Sequence, residues 1–414
     1  MQATRTVRKV GKLCRSQLPC TESVLVRSAA LAFAAMKPDT LLVHAGEPRP
    51  RNSGSVAMPI YQSSTFEETD SRGYHDIRYA RLSNTPSHDA LHGKLAALEG
   101  AEASLACSSG MAAISAALFS VLRTGDHVIA QRGLYGGTHD LITRDLVRLG
   151  IEHTFVPGDD PAAWEKAVTP KSRVFYLESM TNPLVRVADL PAAGAFARSR
   201  GLVGIVDNTF ATPLSYRPLR HGFDLVVHSA TKYLNGHSDL IAGAIMGSAE
   251  RVREAKKTLD HLGGSLDPHA CFLLQRGLKT LGVRFRQQCA TAGQVAQFLE
   301  QHQAVARVNH LSLPSHPHHA RARELFAYFG AMLSFELRGG AAAAEKMFTR
   351  LTLPLHAPSL GGPETLVTRP AATSHVGLSA QERAEIGIAD GLVRVSIGLE
   401  APEDLIEDFG RALA

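Results

Sequence analysis

Lys232 is the residue whose type and surroundings most clearly indicate chemistry. It lies among small polar residues that follow a short apolar segment, residues 224–228, with Ser229 and Thr231 close before it. A lysine amine in a desolvated place has a lowered pKa and becomes a nucleophile toward carbonyl groups, with which it forms a Schiff base. Hydroxyl groups beside such an amine suit a phosphate. The sequence therefore predicts a site for a small molecule that carries both an aldehyde and a phosphate.

An acid ends a second apolar segment upstream, at Asp207 in residues 203–207. Pyridoxal 5′-phosphate (PLP) combines an aldehyde and a phosphate with a pyridine ring. A carboxylate beside the ring nitrogen keeps that nitrogen protonated, so that the ring can accept electrons. Asp207 is the predicted partner of the ring nitrogen, and Lys232 is the predicted attachment point.

The segment Ser-Ala-Thr-Lys-Tyr-Leu-Asn-Gly-His-Ser at residues 229–238, taken with the strand end at Asp207, resembles a known signature. It is the PLP-lysine signature of the Cys/Met-metabolism (trans-sulfuration) enzymes, among them cystathionine γ-synthase, cystathionine β- and γ-lyases, and methionine γ-lyase. The resemblance extends from about Lys37 to the C-terminus. It implies an α/β chain with the type I PLP-dependent transferase (aspartate-aminotransferase-like) fold. That fold has a central, mostly parallel sheet with helices on both faces and a smaller α+β C-terminal domain.

A turn of small residues, 108–111, opens a predicted helix of small apolar residues. A Ser-Gly turn at a helix N-terminus presents free backbone N–H groups to an anion, although an ordinary serine-capped helix has the same pattern. The resemblance implies that Gly110 and Met111 hold the PLP phosphate through their backbone amides. It also places the hydroxyl groups of Ser229 and Thr231 in the cofactor site.

Tyr79 and Arg81 lie in an N-terminal segment that carries few apolar residues. By residue type alone they are equally consistent with a solvated loop. The resemblance implies that both reach the PLP phosphate of the adjacent subunit, and a guanidinium suits a bidentate phosphate contact. It therefore implies a homotetramer, a dimer of dimers, with shared active sites. The Asn-Pro-Thr that usually follows this motif appears here as Asn-Thr-Pro at residues 84–86.

Tyr135 precedes two glycines, which let the backbone approach a flat ligand closely. A tyrosine there can stack on the pyridine ring and move protons, or it can be an ordinary core residue. The resemblance implies the first role.

Asn182 ends another apolar segment. It belongs either to a plain Asn-Pro turn or, as the resemblance implies, to the site, where it bonds to the ring hydroxyl oxygen or the substrate carboxylate.

Arg394 is an arginine on an apolar strand, residues 392–397. If its side chain points inward it needs an anion, which is either the α-carboxylate of an amino acid substrate or an internal acid. The resemblance implies the substrate carboxylate, with Ser359 as helper.

Three further positions depart from the family pattern. Asp140 stands where many members have an arginine, and Pro358 stands where many γ-synthases and γ-lyases have a glutamate. Both departures concern the distal end of the substrate. Gly137 occupies the position where methionine γ-lyases often have a cysteine, which argues against that specialisation.

The charge of the chain is concentrated at its N-terminus. The 414 residues carry 44 basic and 39 acidic side chains. Residues 1–36 hold six basic residues against one acid, which leaves 38 of each sign in the remainder and gives no electrostatic reason to expect nucleic acid. The basic, Ser/Thr/Ala-containing leader is typical of an organelle transit peptide, or else translation starts near Met36. The expected location is therefore the cytoplasm, or a plastid or mitochondrion if the leader is a transit peptide.

No apolar run approaches the roughly 18–20 residues that span a bilayer. The five cysteines (Cys14, Cys20, Cys107, Cys271 and Cys289) form no Cys-x-x-Cys pair, which favours reduced thiols over a disulfide scaffold. The histidines of residues 316–319 are interrupted by proline and have no acid or cysteine nearby, so we expect a loop and no metal.

Strands are predicted at residues 126–130, 151–156, 173–178, 203–207, 224–228 and 241–246, with helical segments between most of them. Continuous apolar strands of this kind indicate a largely parallel, covered sheet. The predicted organisation is a leader (1–36), an irregular arm (37–82) expected to lie on a neighbouring subunit, a PLP-binding domain (83–280) and a C-terminal domain (281–414). The last contains predicted strands at residues 331–337 and 392–397.

The first functional hypothesis is a PLP-dependent carbon–sulfur lyase that acts on cystathionine-type amino acids by β- or γ-elimination. Cystathionine γ-synthase, which replaces the γ-substituent of an activated homoserine, and methionine γ-lyase remain open. An aminotransferase fits the match around Lys232 less well. A catalytically silent relative acting as a binding protein is disfavoured because Lys232, Asp207, Tyr135 and Arg394 are all present.

Overall fold

The computed structural model describes residues 36–67, 73–74, 77–373, 376 and 379–414. The predicted leader therefore lies outside the described residues except for Met36. Residues Lys37–Ala414 form one unit, which contains two sheets.

The larger sheet carries seven strands in the described part of the chain: β1 (Ala103–Cys107), β2 (His127–Gln131), β3 (Glu152–Val156), β4 (Ser172–Glu178), β5 (Val203–Asp207), β6 (Leu225–His228) and β7 (Gly243–Gly247). Their order across the sheet is β1-β7-β6-β5-β4-β2-β3. β7 runs antiparallel to both of its neighbours, and the other pairs are parallel. Six of these strands are the predicted ones, with ends shifted by up to two residues.

In the larger sheet, β1 is the described strand that sequence patterns did not predict. Its residues, Ala-Ser-Leu-Ala-Cys, include no β-branched or aromatic side chain, so intrinsic strand preference is weak there. It forms because pairing with β7 and burial of Leu105, Ala106 and Cys107 outweigh that weak preference.

Helices cover the sheet: α1 (Pro38–His44), α2 (Pro86–Glu99), α3 (Gly110–Val121), α4 (Gly136–Asp140), α5 (Pro161–Ala167), α6 (Leu190–Ser199), α7 (Thr212–Ser215), α8 (Ala249–Leu262), α9 (Pro268–Leu278), α10 (Leu281–Gln301), α11 (His319–Leu325), α12 (Gly340–Phe348), α13 (Ala380–Glu385) and α14 (Pro402–Leu413). A π-helical turn, Leu141–Leu146, continues α4, and short 3₁₀ turns lie at Asn52–Gly54, Ala80–Leu82, Pro218–His221 and Pro370–Ala372. None of the helices described is both long and apolar enough to cross a membrane.

The smaller sheet is formed by β8 (Val305–Asn309), β9 (Met332–Leu337), β10 (Leu355–His356), β11 (Leu366–Thr368) and β12 (Leu392–Ser396), in the order β10-β11-β12-β9-β8. The two predicted strands are β9 and β12. β12 lies between β11 and β9, where Arg394 is opposite Thr368 on one side and Ser334 on the other.

The carboxyl ends of the parallel strands position the polar residues. Glu178 is the last residue of β4 and lies opposite Asp207, the last residue of β5, which in turn lies opposite Val227 of β6. Lys232 follows β6 by four residues. In open α/β sheets, ligands bind in the crevice beyond the carboxyl ends of the strands.

The beginning of the arm is more ordered than the sequence indicated. We expected an irregular segment that buries little surface on its own chain, but residues 38–44 form helix α1, and its Leu41 and Leu42 are buried. The amine of Lys94 donates to the carbonyl oxygen of Leu42 at 2.8 Å. The reason for the error is that the apolar pair is too short to show a helical period, whereas Pro38 at the first turn favours a helix start.

Candidate active site

A cavity of about 680 Å³ lies beyond the carboxyl ends of β4, β5 and β6. The N-terminus of α3 and the loop before β11 close two of its sides. Its lining includes ten of the twelve predicted site residues: Gly110, Met111, Tyr135, Asn182, Asp207, Ser229, Thr231, Lys232, Ser359 and Arg394. The complete lining comes from many separate segments of the chain between residues 109 and 394, which meet around one cavity.

Lys232 lies inside this cavity with its amine bonded to a hydroxyl group. The Nζ atom donates to Oγ of Ser359 over 2.6 Å. Burial lowers the pKa of Lys232 to about 8, and the nearby positive charge of Arg394 acts in the same direction. At mildly basic pH a substantial share of the Lys232 amine is therefore uncharged, which is the form that acts as a nucleophile.

Asp207 is a buried acid whose carboxylate is held by the residue two positions later. Its Oδ1 accepts the backbone N–H of Thr209 at 2.9 Å and the hydroxyl of Thr209 at 2.5 Å. Burial raises the pKa of Asp207, and the two bonds from Thr209 oppose that rise. Thr209 also accepts the N–H of Ser229 at 2.8 Å, so it links the acid to the loop that carries the lysine.

Arg394 is buried and points toward the cavity from β12. Its guanidinium donates to the carbonyl oxygen of Ser359 at 2.8 Å and to Oδ1 of Asn182 at 3.4 Å. Among the described residues no Asp or Glu forms an ion pair with it, and its Nε has no hydrogen-bond partner. Burial lowers the pKa of Arg394 to about 10. A buried guanidinium that lacks an acid needs an anion, so the alternative of an internal acid does not hold for the described part of the chain.

Ser359 adopts a backbone conformation that non-glycine residues rarely adopt, with φ of 85°. Its neighbourhood explains the persistence of this conformation, because its hydroxyl and its carbonyl oxygen each receive a hydrogen bond from a cationic side chain. Strained backbone of this kind clusters at functional sites.

Tyr135 lies at the mouth of the cavity with 47% of its surface exposed. Its backbone N–H donates to Oε1 of Glu178 at 2.7 Å. A Cβ on Gly137 would lie 2.7 Å from Cε1 of the tyrosine ring and 3.0 Å from Sδ of Met111. Because Gly137 has no side chain, the Tyr135 ring can occupy the space beside it.

The N-terminus of α3 faces the loop after β6 across a short distance. A Cβ on Gly110 would lie 2.8 Å from Cβ of Ser229, so the two backbones approach too closely for a side chain. The Oγ of Ser109 accepts the N–H of Ala112, which leaves the first two N–H groups of the helix, those of Gly110 and Met111, without an intrahelical acceptor. Thr231 lines the cavity with its hydroxyl bonded to the carbonyl oxygen of Ala242 at 3.1 Å.

Tyr79 and Arg81 are the two predicted site residues that do not line the cavity of their own chain. Arg81 donates to the carbonyl oxygen of Asp260 at 2.7 Å. Tyr79 is 37% exposed. The reordered Asn-Thr-Pro forms a closed loop, because Asn84 accepts the N–H of Tyr79 at 2.9 Å and Thr85 caps α2 ahead of Pro86.

The departures from the family pattern lie in different environments. Pro358 lines the cavity beside Ser359. Asp140 does not line it; its carboxylate lies 3.8 Å from Nε of Arg144, one helical turn away on the surface.

Among the cavity residues that were not predicted from the sequence, Glu178 and Thr209 form hydrogen bonds to predicted site residues. Glu178 ends β4 as Asp207 ends β5, so the same signal, an acid at the end of an apolar strand, was available for it. Thr209 carried no signal of its own, because its role depends on how the chain turns after β5.

Comparison with known proteins places this arrangement in a family. Residues 39–414 match the family described as "Cys/Met metabolism PLP-dependent enzyme". Cystathionine gamma-lyase of Bacillus subtilis (strain 168) is 40% identical over 379 residues, 91% of this chain and 99% of that protein. L-methionine gamma-lyase of Fusobacterium nucleatum subsp. polymorphum is 42% identical over 388 residues, 90% of this chain and 97% of that protein.

Among solved structures, cystathionine gamma-lyase from Lactobacillus plantarum complexed with L-serine matches with a TM-score of 0.86 at 37% identity, covering 91% of this chain and 98% of that one. The matches cover nearly the full length of each relative. The chain belongs to the PLP-dependent enzymes of Cys/Met metabolism.

Proposed function

We propose that the protein is a PLP-dependent carbon–sulfur lyase that cleaves cystathionine-type amino acids by β- or γ-elimination. One observation carries the proposal: a partly buried lysine amine lines one cavity together with an acid at a strand end and a buried arginine that has no acidic partner among the described residues. The similarity to a cystathionine gamma-lyase and a methionine gamma-lyase supports cleavage of a carbon–sulfur bond.

The residues of the cavity fit PLP. The close approach of Gly110 to Ser229 brings the N-terminus of α3 next to the Ser229 hydroxyl, and the free N–H groups of Gly110 and Met111 suit a phosphate. Ser229 and Thr231 supply hydroxyl groups beside it. The amine of Lys232 is nucleophilic enough to bind an aldehyde, and Asp207 is a buried acid that suits a protonated ring nitrogen.

When bound, PLP supplies an electron-accepting ring that stabilises negative charge at the substrate α-carbon. Asp207 holds the proton on the ring nitrogen, and Thr209 keeps the carboxylate oriented through its two bonds. Tyr135, which lines the cavity near its mouth, would help to hold the ring.

The substrate is held and deprotonated by the same cluster. Arg394 binds the α-carboxylate in place of its bond to the Ser359 carbonyl or beside it, and Asn182 orients the guanidinium. Lys232, once its amine is free, removes the α-proton, and Lys232 and Tyr135 deliver protons to the leaving sulfur.

The direct test is to purify the full chain, record its visible spectrum, and add L-cystathionine. We expect an absorption band that disappears on borohydride reduction, with the adduct on Lys232. Homocysteine with pyruvate identifies β-elimination, and cysteine with 2-oxobutyrate identifies γ-elimination. Lys232→Ala is the matched control: it should bind PLP without a covalent bond and give neither pair of products.

The other outcomes separate the alternatives. Bound PLP without cystathionine cleavage, together with cystathionine formation from an activated homoserine and cysteine, would replace the lyase by a γ-synthase. Absence of bound PLP even after its addition would overturn the enzyme assignment and leave a binding protein.

A second candidate is cleavage of a simple thioether such as methionine. The charged residues that line the cavity in the described part of the chain are Glu178, Asp207, Lys232 and Arg394, and all four lie on the cofactor and α-carboxylate side. The rest of the wall carries no charge, and its apolar members include Phe210, Ile241, Pro358 and Leu360. A wall without charge favours an uncharged alkyl group beyond the sulfur. Release of methanethiol and 2-oxobutyrate from L-methionine, with a larger kcat/KM than for cystathionine, would establish this candidate.

We further propose a homotetramer in which Tyr79 and Arg81 of one subunit reach the phosphate bound by another. The exposure of Tyr79 and the absence of both residues from the cavity of their own chain support this arrangement. The test is to mix inactive Lys232→Ala and Arg81→Ala chains under conditions of subunit exchange. A shared site predicts that activity returns, because some sites then combine an intact Lys232 with an intact Arg81. Mixed assemblies that stay as inactive as the Lys232→Ala parent would refute the shared site.

A further inference from the structure

We propose that Glu178 is a positioning residue that holds Tyr135 in place over the cofactor site by accepting the backbone N–H of the tyrosine as a neutral acid. The inference rests on the proposed function and adds to it a role for a side chain that the sequence motifs did not single out. The first observation is the hydrogen bond itself, 2.7 Å from the Tyr135 nitrogen to Oε1 of Glu178.

Glu178 is a rigid support for such a bond. It is the last residue of β4 and is 5% exposed. Its backbone N–H donates to Oε1 of Gln131 at 3.0 Å, and Gln131 ends the neighbouring strand β2. Tyr135 follows Gln131 by four residues. Glu178 therefore bonds to both ends of the turn between Gln131 and Tyr135 and fixes that turn to the edge of the sheet.

Tyr135 has few other contacts that fix it. In the part of the chain that the structure describes, no hydrogen bond holds its phenol group, and almost half of its surface is exposed. The bond to Glu178 fixes the backbone, and the space above Gly137 then sets where the ring lies. A tyrosine that moves protons has to keep its oxygen within hydrogen-bond reach of the reacting group, so a shift of its backbone is costly.

The protonation state follows from the neighbouring acid. Glu178 and Asp207 lie opposite each other at the ends of adjacent strands, and both are buried. Two buried carboxyl groups that share a site do not both ionise readily. Asp207 receives two hydrogen bonds from Thr209, which favour its ionised form. Burial and the charge of Asp207 raise the pKa of Glu178 well above its usual range. Glu178 is therefore the neutral member, and Asp207 keeps the charge that a protonated ring nitrogen requires.

This assignment predicts different results for two substitutions that keep the side-chain volume similar. In Glu178→Gln the amide oxygen still accepts the Tyr135 N–H, and the neutral charge is unchanged. In Glu178→Met the volume remains, but the acceptor is lost. The readouts are the circular dichroism of the bound cofactor's visible band, kcat, and KM, all measured on the PLP-loaded full chain.

We expect Glu178→Gln to retain the dichroism and most of the kcat of the parent. Glu178→Met should change the dichroism and lower kcat roughly 100-fold, the scale of a misplaced catalytic group, with little change in KM because Arg394 is untouched. Glu47→Gln is the matched control, since Glu47 is equally buried but does not line the cavity. It should lower the Tm without altering the cofactor signal.

Two results would overturn the assignment. If Glu178→Gln loses kcat roughly 100-fold relative to the parent, the charge of Glu178 matters and it is not a neutral acceptor; this comparison does not depend on how well the methionine variant folds. If Glu178→Met keeps the parent's dichroism and kcat, the bond does not position Tyr135. Failure of the proposed function is recognised separately, because then the parent chain itself lacks bound PLP or cleaves no carbon–sulfur bond.

Discussion

Lys232 and Arg394 meet at a single residue: Ser359 accepts the lysine amine on its hydroxyl at 2.6 Å and the arginine guanidinium on its carbonyl oxygen at 2.8 Å. The lysine follows the larger sheet, the arginine belongs to the smaller one, and the serine lies in the loop between β10 and β11. The positive charge of Arg394 is also one of the causes that lower the pKa of Lys232. Lys232, the proposed cofactor-binding residue, and Arg394, the proposed carboxylate-binding residue, are therefore coupled both by hydrogen bonds and by charge.

This coupling predicts the pH dependence of cofactor capture. The pKa of Lys232 lies near 8, so the amine is protonated and unreactive well below that pH and neutral above it. The rate at which the apoprotein binds PLP covalently should therefore rise with pH through about 8 and then level off. Arg394→Met removes a positive charge and should move the midpoint upward. Stopped-flow absorbance of the visible band that forms as PLP binds covalently measures this rate at each pH, and hence the midpoint.

Arg394→Lys is the control for that experiment. It keeps the charge, so its midpoint should stay close to that of the parent. Because titration of free PLP is the same in all samples, the comparison among variants isolates the protein group. A midpoint that does not differ between the methionine and lysine variants would show that the charge of Arg394 does not act on Lys232.

The same two variants test recognition of the substrate. A charge-assisted hydrogen bond contributes about 1.5–3 kcal/mol, which corresponds to roughly 10- to 150-fold in binding. Arg394→Met should therefore raise KM by that factor for every amino acid substrate, whatever its sulfur group. Arg394→Lys should raise KM less, because the charge remains while the bidentate geometry is lost. Steady-state kinetics with two amino acid substrates measure these KM values. An unchanged KM in Arg394→Met would mean that the substrate carboxylate binds elsewhere.

Cofactor retention tests the role of the arm. Arg81→Ala should release PLP faster on dialysis than the parent, because a phosphate contact is lost. Arg78→Ala is a matched control: Arg78 lies on the same arm and forms a surface ion pair with Asp89 at 3.2 Å. It should retain PLP like the parent, since exposed pairs contribute little. Equal retention in Arg81→Ala and the parent would refute the shared phosphate site.

Gly137 sets the position of the Tyr135 ring. A Cβ there would lie 2.7 Å from the ring, which has to move. Gly137→Ala should therefore lower kcat by up to about 100-fold with a smaller effect on KM. Gly293→Ala in α10 is the control, because its Cβ would meet its nearest neighbour at an ordinary 3.7 Å. A Gly137→Ala enzyme with the kcat of the parent would show that the ring position is not critical.

Local sequence determined much of this protein. Apolar strands that end in Asp207 and precede Lys232, and a Ser-Gly turn before a helix, each depend on neighbouring residues, so they are readable from the chain alone. With the family resemblance, the same residues indicated the cofactor and the class of chemistry. The histidines of residues 316–319 illustrate the limit: their ring nitrogens bond to backbone carbonyls of Leu184, Val187 and Leu311, partners that no local pattern names.

Tertiary structure decided what depends on packing between distant segments. Strand β1 exists because β7 pairs with it, Ser359 bridges Lys232 and Arg394 because the two sheets share one unit, and Glu178 faces Asp207 because their strands are in register. Burial and neighbouring charges lower or raise the pKa of such groups, and both are properties of the folded chain. The sequence therefore determined which residues could do the chemistry, and the fold decided which of them meet and in which protonation state.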